Sequence, residues 1–379
     1  MKKWLLGLST AVVVAAPLEA SAATLPHAVK ETGKLTHQES YYNVDLTEKY
    51  VGVRTKDHFN LYDYSGKQKY SVKVNHRDVS TLGPRGGMYI VDGKENKTER
   101  LHAYSTTGKL LWSKEMKNTH ISNVKSTKGG YLYVSHQDAK EHKSLSQLDY
   151  KTGKVLRTWK LNGQAAYFGP NGYALVTLKD QTYSVIKGAK KLYSFKTKYN
   201  YLPQYVTFSD DGHLYVDMKY PKKGKFLHQL YSPKGTLLKN FTLAKGESTF
   251  FNSKNELFIG WSDTQSKKKA YHYEWYNTSG KKVVSSSFAL GKKGTGKLTD
   301  FKVFNTKGHD TLYGLDGWDF SRVMYKMKNN KIVGKTMLPD KSTETGFYEP
   351  LERMPYGAAF TSPDHSNKDL VDMHMYRYD

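Results

Sequence analysis

A turn unit that recurs along the chain constrains the fold more than any other feature. Each copy places alternating apolar runs on both sides of a turn that contains glycine, as in Leu148–Leu161. The turn glycines are Gly66, Gly108, Gly153, Gly188, Gly235 and Gly280, with separations of 42, 45, 35, 47 and 45 residues. A weaker copy follows at Met324. A period of about 40 to 45 residues in strand-rich units is typical of β-propeller blades.

Three strands are visible in most units, because an apolar run with its own turn precedes each hairpin, as in Asp210–Met218. We assign a fourth, innermost strand by analogy, with 204–208 and 248–252 as candidates. No run of ten or more residues has a convincing helical apolar period. The 30 tyrosines also suit sheets, since the ring packs between blades while the hydroxyl reaches water. The sequence therefore predicts an all-β fold.

The end of the chain bears on the number of blades. Residues 356–362 and 370–379 have the pattern of strands from an eighth blade that lacks its outer strand, and residues 24–37 are placed to supply it. We predict a single β-propeller over residues 23–379, with eight blades of four-stranded antiparallel sheets. Seven blades is the alternative.

The first 22 residues have the organisation of a cleavable secretory signal. Lys2 and Lys3 precede an apolar run from Leu5 to Ala16, and Ala20–Ala22 supplies the small residues of a cleavage site. The apolar run is shorter than the roughly 20 residues that span a bilayer. We expect a secreted, extracellular protein. Association with the cell wall is a further form of this hypothesis.

Cysteine content and charge limit the classes of partner. The chain has no cysteine, which excludes disulfides and a lipid-modified cysteine. Its formal net charge is +24, and it stays at +23 without Lys2, Lys3 and Glu19. Export argues against nucleic acid as the physiological partner and favours an anionic polymer, teichoic acid or acidic polysaccharide. A solubilising role for the charge is the alternative. We expect a monomer.

The segment Asp149–Lys154 resembles the repeat of the quinoprotein-dehydrogenase-like (PQQ-repeat-like) β-propellers, and Trp112 stands where that family's docking tryptophan stands. Tyr104 replaces the aspartate in the Trp112 copy, and Trp159 lies two residues too late in the other. Enzymes of the family hold a quinone against paired cysteines and use calcium. Since this chain has no cysteine and no clear calcium loop, the resemblance implies a degenerate, non-enzymatic member without a cofactor.

Histidines and carboxylates offer few catalytic or metal-binding patterns. His136 and His142 flank Asp138 and Glu141 in a hairpin loop, where solvated side chains are more common than metal ligands, so we predict no metal site. The segment Gly314–Arg322 surrounds Trp318 with Asp316 and Asp319, which is an arrangement found in sugar-binding and glycosidase sites. The alternative is a tryptophan packed between blades and aspartates that shape a turn.

Positive charge is concentrated in two loops that each join the second and third strands of a unit. The loop at 218–226 sums to +4 and the loop at 261–270 to +2, whereas the corresponding loops at 92–98 and 314–321 sum to 0 and −2. We name the two basic loops, with their neighbouring aromatic residues, the basic arc. Its members are Lys219, Tyr220, Lys222, Lys223, Lys225, Trp261, Lys267, Lys268 and Lys269.

Three functions remain open from the sequence. The leading hypothesis is an exported, non-enzymatic propeller that binds an anionic cell-surface polymer or a protein partner. The alternatives are a polysaccharide lyase or hydrolase that uses residues such as Asp316, Asp319, His365 or Tyr220, and a structural protein of an extracellular matrix.

Overall fold

In the computed structural model, strands make up nearly all of the described chain. The residues described are 30–37, 43–47, 49–75, 79–92, 99–116, 119–127, 129–161, 166–178, 182–197, 202–220, 225–241, 248–263, 270–289, 302–306, 312–316, 323–328, 331–337, 357–363 and 371–377. The one helical element among them is a short 3-10 turn at Pro170–Gly172.

Seven four-stranded antiparallel sheets follow one another along the described chain, and we number them as blades 1 to 7. Blade 1 contains β2 (Asn43–Leu46), β3 (Tyr50–Arg54), β4 (His58–Asp63) and β5 (Gln68–Lys73). Blade 2 contains β6 (Val79–Leu82), β7 (Met88–Asp92), β8 (Glu99–Tyr104) and β9 (Leu110–Met116). Blade 3 contains β10 (Thr119–Thr127), β11 (Tyr131–Asp138), β12 (Lys143–Asp149) and β13 (Val155–Lys160). Blade 4 contains β14 (Ala166–Phe168), β15 (Tyr173–Thr177), β16 (Thr182–Lys187) and β17 (Lys190–Lys196).

The remaining blades continue the same order. Blade 5 contains β18 (Leu202–Phe208), β19 (Leu214–Tyr220), β20 (Lys225–Tyr231) and β21 (Leu237–Phe241). Blade 6 contains β22 (Ser248–Phe251), β23 (Leu257–Asp263), β24 (Ala270–Tyr276) and β25 (Lys282–Ala289). Blade 7 contains β26 (Lys302–Thr306), β27 (Leu312–Asp316), β28 (Val323–Lys328) and β29 (Lys331–Met337). The inner strands expected at 204–208 and 248–252 are β18 and β22.

An eighth sheet joins the two ends of the described chain. It contains β1 (Lys30–His37), β30 (Gly357–Pro363) and β31 (Val371–Arg377), in the order β1-β31-β30. Lys34 pairs with His374, and the Thr32 hydroxyl donates to the Met375 carbonyl at 3.1 Å. We call this three-stranded sheet blade 8. The all-β propeller architecture predicted from the repeat is confirmed.

Among the described side chains, the inner strands of blades that pack between two neighbours are buried on both faces. On β19, Leu214, Val216 and Met218 face blade 4, whereas Tyr215 faces blade 6. Buried clusters of this kind join blades 8 and 1, 1 and 2, 2 and 3, 3 and 4, 4 and 5, 5 and 6, and 6 and 7. The alternation follows from the two-residue period of strands, and stability resides in these interfaces.

The meander gives the disc two different faces. Connections between second and third strands leave on one side, which we call the loop face. Turns between first and second strands, and between third and fourth strands, lie on the other side, which we call the turn face. On the turn face the Trp112 ring covers the Gly153 turn of the next blade, and the indole Nε1–H donates to the Tyr150 carbonyl at 2.9 Å. A Cβ at Gly153 would lie 2.8 Å from Trp112 Cε3, so glycine is required there.

Candidate binding surface on the loop face

The two lysine-rich connections of the basic arc start from neighbouring blades. In blade 5, β19 ends at Tyr220, which pairs with Lys225 at the start of β20. In blade 6, β23 ends at Asp263, which pairs with Ala270 at the start of β24. The two blades are held together by a buried cluster that includes Tyr215, Phe241 and Tyr276. Both connections therefore leave the disc on the loop face, from blades in direct contact.

The structure describes the side chains of only some residues of the basic arc. Lys219 is exposed at the end of β19, where its backbone pairs with Leu202 on one side and Phe226 on the other. Tyr220 and Lys225 are described as paired backbone. Five lysines of the arc lie outside the described residues: Lys222, Lys223, Lys267, Lys268 and Lys269.

Trp261, a member of the basic arc, is part of the wall between blades 5 and 6. Its side chain is half-buried and packs against the cluster shared by these blades. The ring is nearly parallel to that of His272, its cross-strand partner, with 5.5 Å between ring centroids and 18° between planes. The blade interface thus fixes the position of this aromatic surface near the loop face.

The acidic candidates of blade 7 are described only in part. Asp316 is the last residue of β27 and pairs with Val323. Trp318, Asp319 and His365 lie outside the described residues. The side chain of Asp316 also lies outside the described part of the structure, so a site at these residues stays a prediction.

The histidines of the blade 3 hairpin serve local structure. His142 Nδ1 lies 3.0 Å from Asp138 Oδ2, and the same carboxylate accepts from the backbone N–H groups of Lys140 and His142. His136 turns away and contacts the Ser146 hydroxyl at 2.8 Å. Within the described ranges, no group of three or more histidine and acidic side chains has an arrangement that holds a metal ion.

A buried polar group below the arc escaped the sequence analysis. His228 is 1 % exposed, with its Nδ1 3.1 Å from the Tyr215 hydroxyl and 3.6 Å from Asp217 Oδ1. Burial raises the pKa of Asp217 above its ordinary value, and the charge of His228 opposes this effect. Tyr215 on the same side of β19 packs against blade 6, whereas Lys219 nearer the loop face is exposed.

Comparison with known proteins supports the architecture. No protein-family model and no curated protein sequence matches the chain. Among solved structures, BamB from Moraxella catarrhalis is similar over 92 % of this chain and 100 % of its own, with 11 % sequence identity and a TM-score of 0.50. Hsv2p from Kluyveromyces lactis is similar over 81 % of this chain and 99 % of its own, with 13 % identity and a TM-score of 0.46. At this level of identity the similarity to BamB shows the β-propeller fold.

In the described part of the chain, no helix is long and apolar enough to cross a bilayer.

Proposed function

We propose that the chain is an exported, non-enzymatic β-propeller that binds an anionic polymer of the cell surface, teichoic acid or acidic polysaccharide, through the basic arc. Export is supported by the signal-like residues 1–22. Amino-terminal sequencing of the exported protein, expected to begin near Ala23, tests that part.

One observation carries the binding proposal: two lysine-rich connections begin on the same face of two blades that pack directly against each other. Charges on adjacent connections act together on one stretch of polymer, and a polyanion that binds them releases condensed counterions. Lys219 marks the beginning of this region as an exposed cation, while Trp261 provides a fixed apolar surface next to it.

A protein partner with an acidic face is the second candidate, and it is favoured by the same charges. The test therefore includes both. Binding of the mature protein to purified wall teichoic acid, to an acidic polysaccharide and to a heterogeneous cell-surface protein extract is measured at low and high salt. Screening lengths shorten from about 10 Å at 0.1 M to about 3 Å at 1 M, so specific polymer binding is expected to weaken steeply.

The decisive variant replaces Lys219, Lys222, Lys223 and Lys225 by glutamine. Exposed ion pairs each contribute about 0.2–1 kcal/mol, so polymer affinity is expected to fall by roughly tenfold or more. The matched control replaces four exposed lysines of the turn face, Lys67, Lys191, Lys234 and Lys254. Equal losses of affinity in the two variants would show that only the total charge of the protein matters for binding. The basic arc would then have to be abandoned as a site.

A further inference from the structure

Large apolar side chains are exposed at few places in the described chain, and these places are related by the repeat. All lie at the beginning of an outer strand, next to the turn face. Leu110 (48 % exposed), Leu111 (55 %), Val155 (37 %) and Leu156 (49 %) belong to neighbouring blades 2 and 3, whereas Leu237 (42 %) and Val283 (44 %) stand singly on blades 5 and 6. The apolar surface is therefore concentrated on one part of the rim.

A β-bulge explains why two successive residues both face solvent. In blade 2, Ala103 pairs with Trp112 and Tyr104 with Leu110, which leaves Leu111 as the extra residue. In blade 3 the corresponding extra residue is Leu156. A bulge interrupts the alternation of the strand, so an apolar pair that would otherwise be divided between core and solvent is turned outward.

The two apolar pairs are rigidly connected. Trp112 directly follows Leu111 and packs on Gly153, two residues before Val155. The hydrogen bond from its indole to the Tyr150 carbonyl also links blade 2 to blade 3. The contacts of Trp112 therefore fix the two pairs relative to each other at one corner of the disc.

Cations surround this corner. Arg85 and Lys151 lie on the Tyr150 ring, at 5.9 Å and 5.8 Å from its centroid. Lys109 directly precedes the first apolar pair and Lys154 the second, and both are exposed. The carboxylate in these described turns is Asp149, whose Oδ1 already accepts from the backbone N–H groups of Lys151 and Thr152. We name these cations, with the two apolar pairs, the blade 2–3 corner.

We propose that the blade 2–3 corner docks the protein on an anionic lipid bilayer. Protruding aliphatic side chains bordered by lysine and arginine are suited to the boundary between headgroups and acyl chains, where apolar insertion and attraction to anionic lipid act together. A second copy of the chain is opposed by repulsion, since each copy carries a net charge of +24 before processing. Addition of a partner strand is opposed by the bulges, which interrupt the regular edge where the apolar residues lie.

This surface is independent of the basic arc. The corner lies on the turn-face side of blades 2 and 3, and the arc connections leave blades 5 and 6 on the loop face. A protein that docks through the corner would keep the arc away from the bilayer, where a surface polymer can reach it.

Sedimentation with phosphatidylcholine vesicles, prepared with and without phosphatidylglycerol, tests the proposal on the mature protein. Binding is expected only to the vesicles that contain phosphatidylglycerol. The double variant Leu111→Ser and Leu156→Ser should lower this binding roughly 10- to 100-fold, because about half of each side chain is available for withdrawal from water. Its urea-unfolding midpoint should match that of the wild type, because both side chains are exposed.

The matched control is the double variant Leu237→Ser and Val283→Ser, which changes exposed apolar residues of the outer strands on other blades. It should lose less than about twofold in vesicle binding. Equal losses in the two variants, binding without phosphatidylglycerol, or capture of a protein partner through the corner with no vesicle binding would each overturn the proposal. Glutamine variants of the arc report on polymer binding separately, so the two proposals can fail independently.

Discussion

Replacing Tyr133 by phenylalanine isolates the contribution of one hydroxyl group between two blades. Tyr133, in blade 3, is fully buried. Its hydroxyl donates to the Gly172 carbonyl and accepts from the Gly188 N–H at 2.9 Å, and both glycines belong to turns of blade 4. The Gly188 N–H also donates to the Gly172 carbonyl, at 3.0 Å.

The expected loss of stability follows from the hydrogen bonds that each group keeps in the variant. Phenylalanine keeps the ring and leaves no large cavity. Gly172 and Gly188 keep their bond to each other, so neither backbone group is left without a partner. The loss is that of the tyrosine's own hydrogen bonds, and the free energy of unfolding should fall by about 1–2 kcal/mol.

Tyr193 provides the matched control. Burial raises the pKa of its hydroxyl, and that oxygen has no hydrogen-bond partner among the described residues. Removing a buried hydroxyl without a partner also removes its desolvation cost. Tyr193→Phe should therefore leave the free energy of unfolding unchanged or raise it by up to about 1 kcal/mol.

Equilibrium urea unfolding of the wild type and the two variants measures this difference through the transition midpoint, provided that the slope stays the same. The phenylalanine variant at 133 should unfold at lower urea than the variant at 193. If both variants shift by the same amount, the hydrogen bonds between blades 3 and 4 do not stabilise the fold as the geometry implies.

Three further predictions concern the turns and the joined chain ends. Gly172→Ala should destabilise the protein by more than about 2 kcal/mol in urea unfolding, because φ is +78° and a Cβ would lie 2.3 Å from Tyr131 Cδ2; an unchanged midpoint would contradict this. Burial raises the pKa of Asp63, but hydrogen bonds led by that from Lys69 outweigh it and hold the pKa at about 2. Since a lowered pKa stabilises above the unfolded value, wild-type stability should fall from about pH 4 towards pH 2 more than that of Asp63→Asn, and parallel curves would refute the effect. Deleting residues through His37 removes β1 and exposes the edge of β31, so gel filtration should show aggregation, whereas an unchanged monomer and midpoint would exclude a closing role.

The fold could be predicted because its turns follow a local rule that the sequence displays. The six glycines predicted at turns 66, 108, 153, 188, 235 and 280 all have positive φ, between 54° and 86°. Glycine adopts this conformation without the penalty of a side chain. Regular spacing of one local conformation is sufficient to indicate repeated hairpins, and the alternation of apolar residues then indicates their buried faces.

The contacts between blades were harder to predict from a motif. Trp112 covers Gly153, but Tyr70 covers Gly108 and Tyr193 covers Gly235 in the same way. A pattern that specifies tryptophan misses these tyrosines, because packing on a glycine turn requires a flat ring of suitable size rather than one residue type.

The surface of the disc was the least predictable part. Leu110 and Leu111 look like the start of a buried strand, and only the bulge in their sheet turns both outward. Asp217 is an acidic residue, and nothing in its local sequence indicates that it lies largely buried beside His228. In both cases the deciding contact comes from chain distant in sequence or from a local change of register, and neither leaves a periodic signal.

The two faces of the disc differ in how freely their residues can be substituted without loss of stability. Turns of the turn face are fixed by packing between blades, as Gly153 under Trp112 and Gly172 against Tyr131 illustrate. Their backbones therefore cannot vary freely, and a ligand there must be recognised by side chains that project from the outer strands. Connections of the loop face begin at strand ends, as at the Tyr220–Lys225 pair, and the lysine-rich connection of the basic arc starts there. This difference gives a physical reason to seek polymer recognition in the lysine-rich connections and bilayer contact in the bulged outer strands.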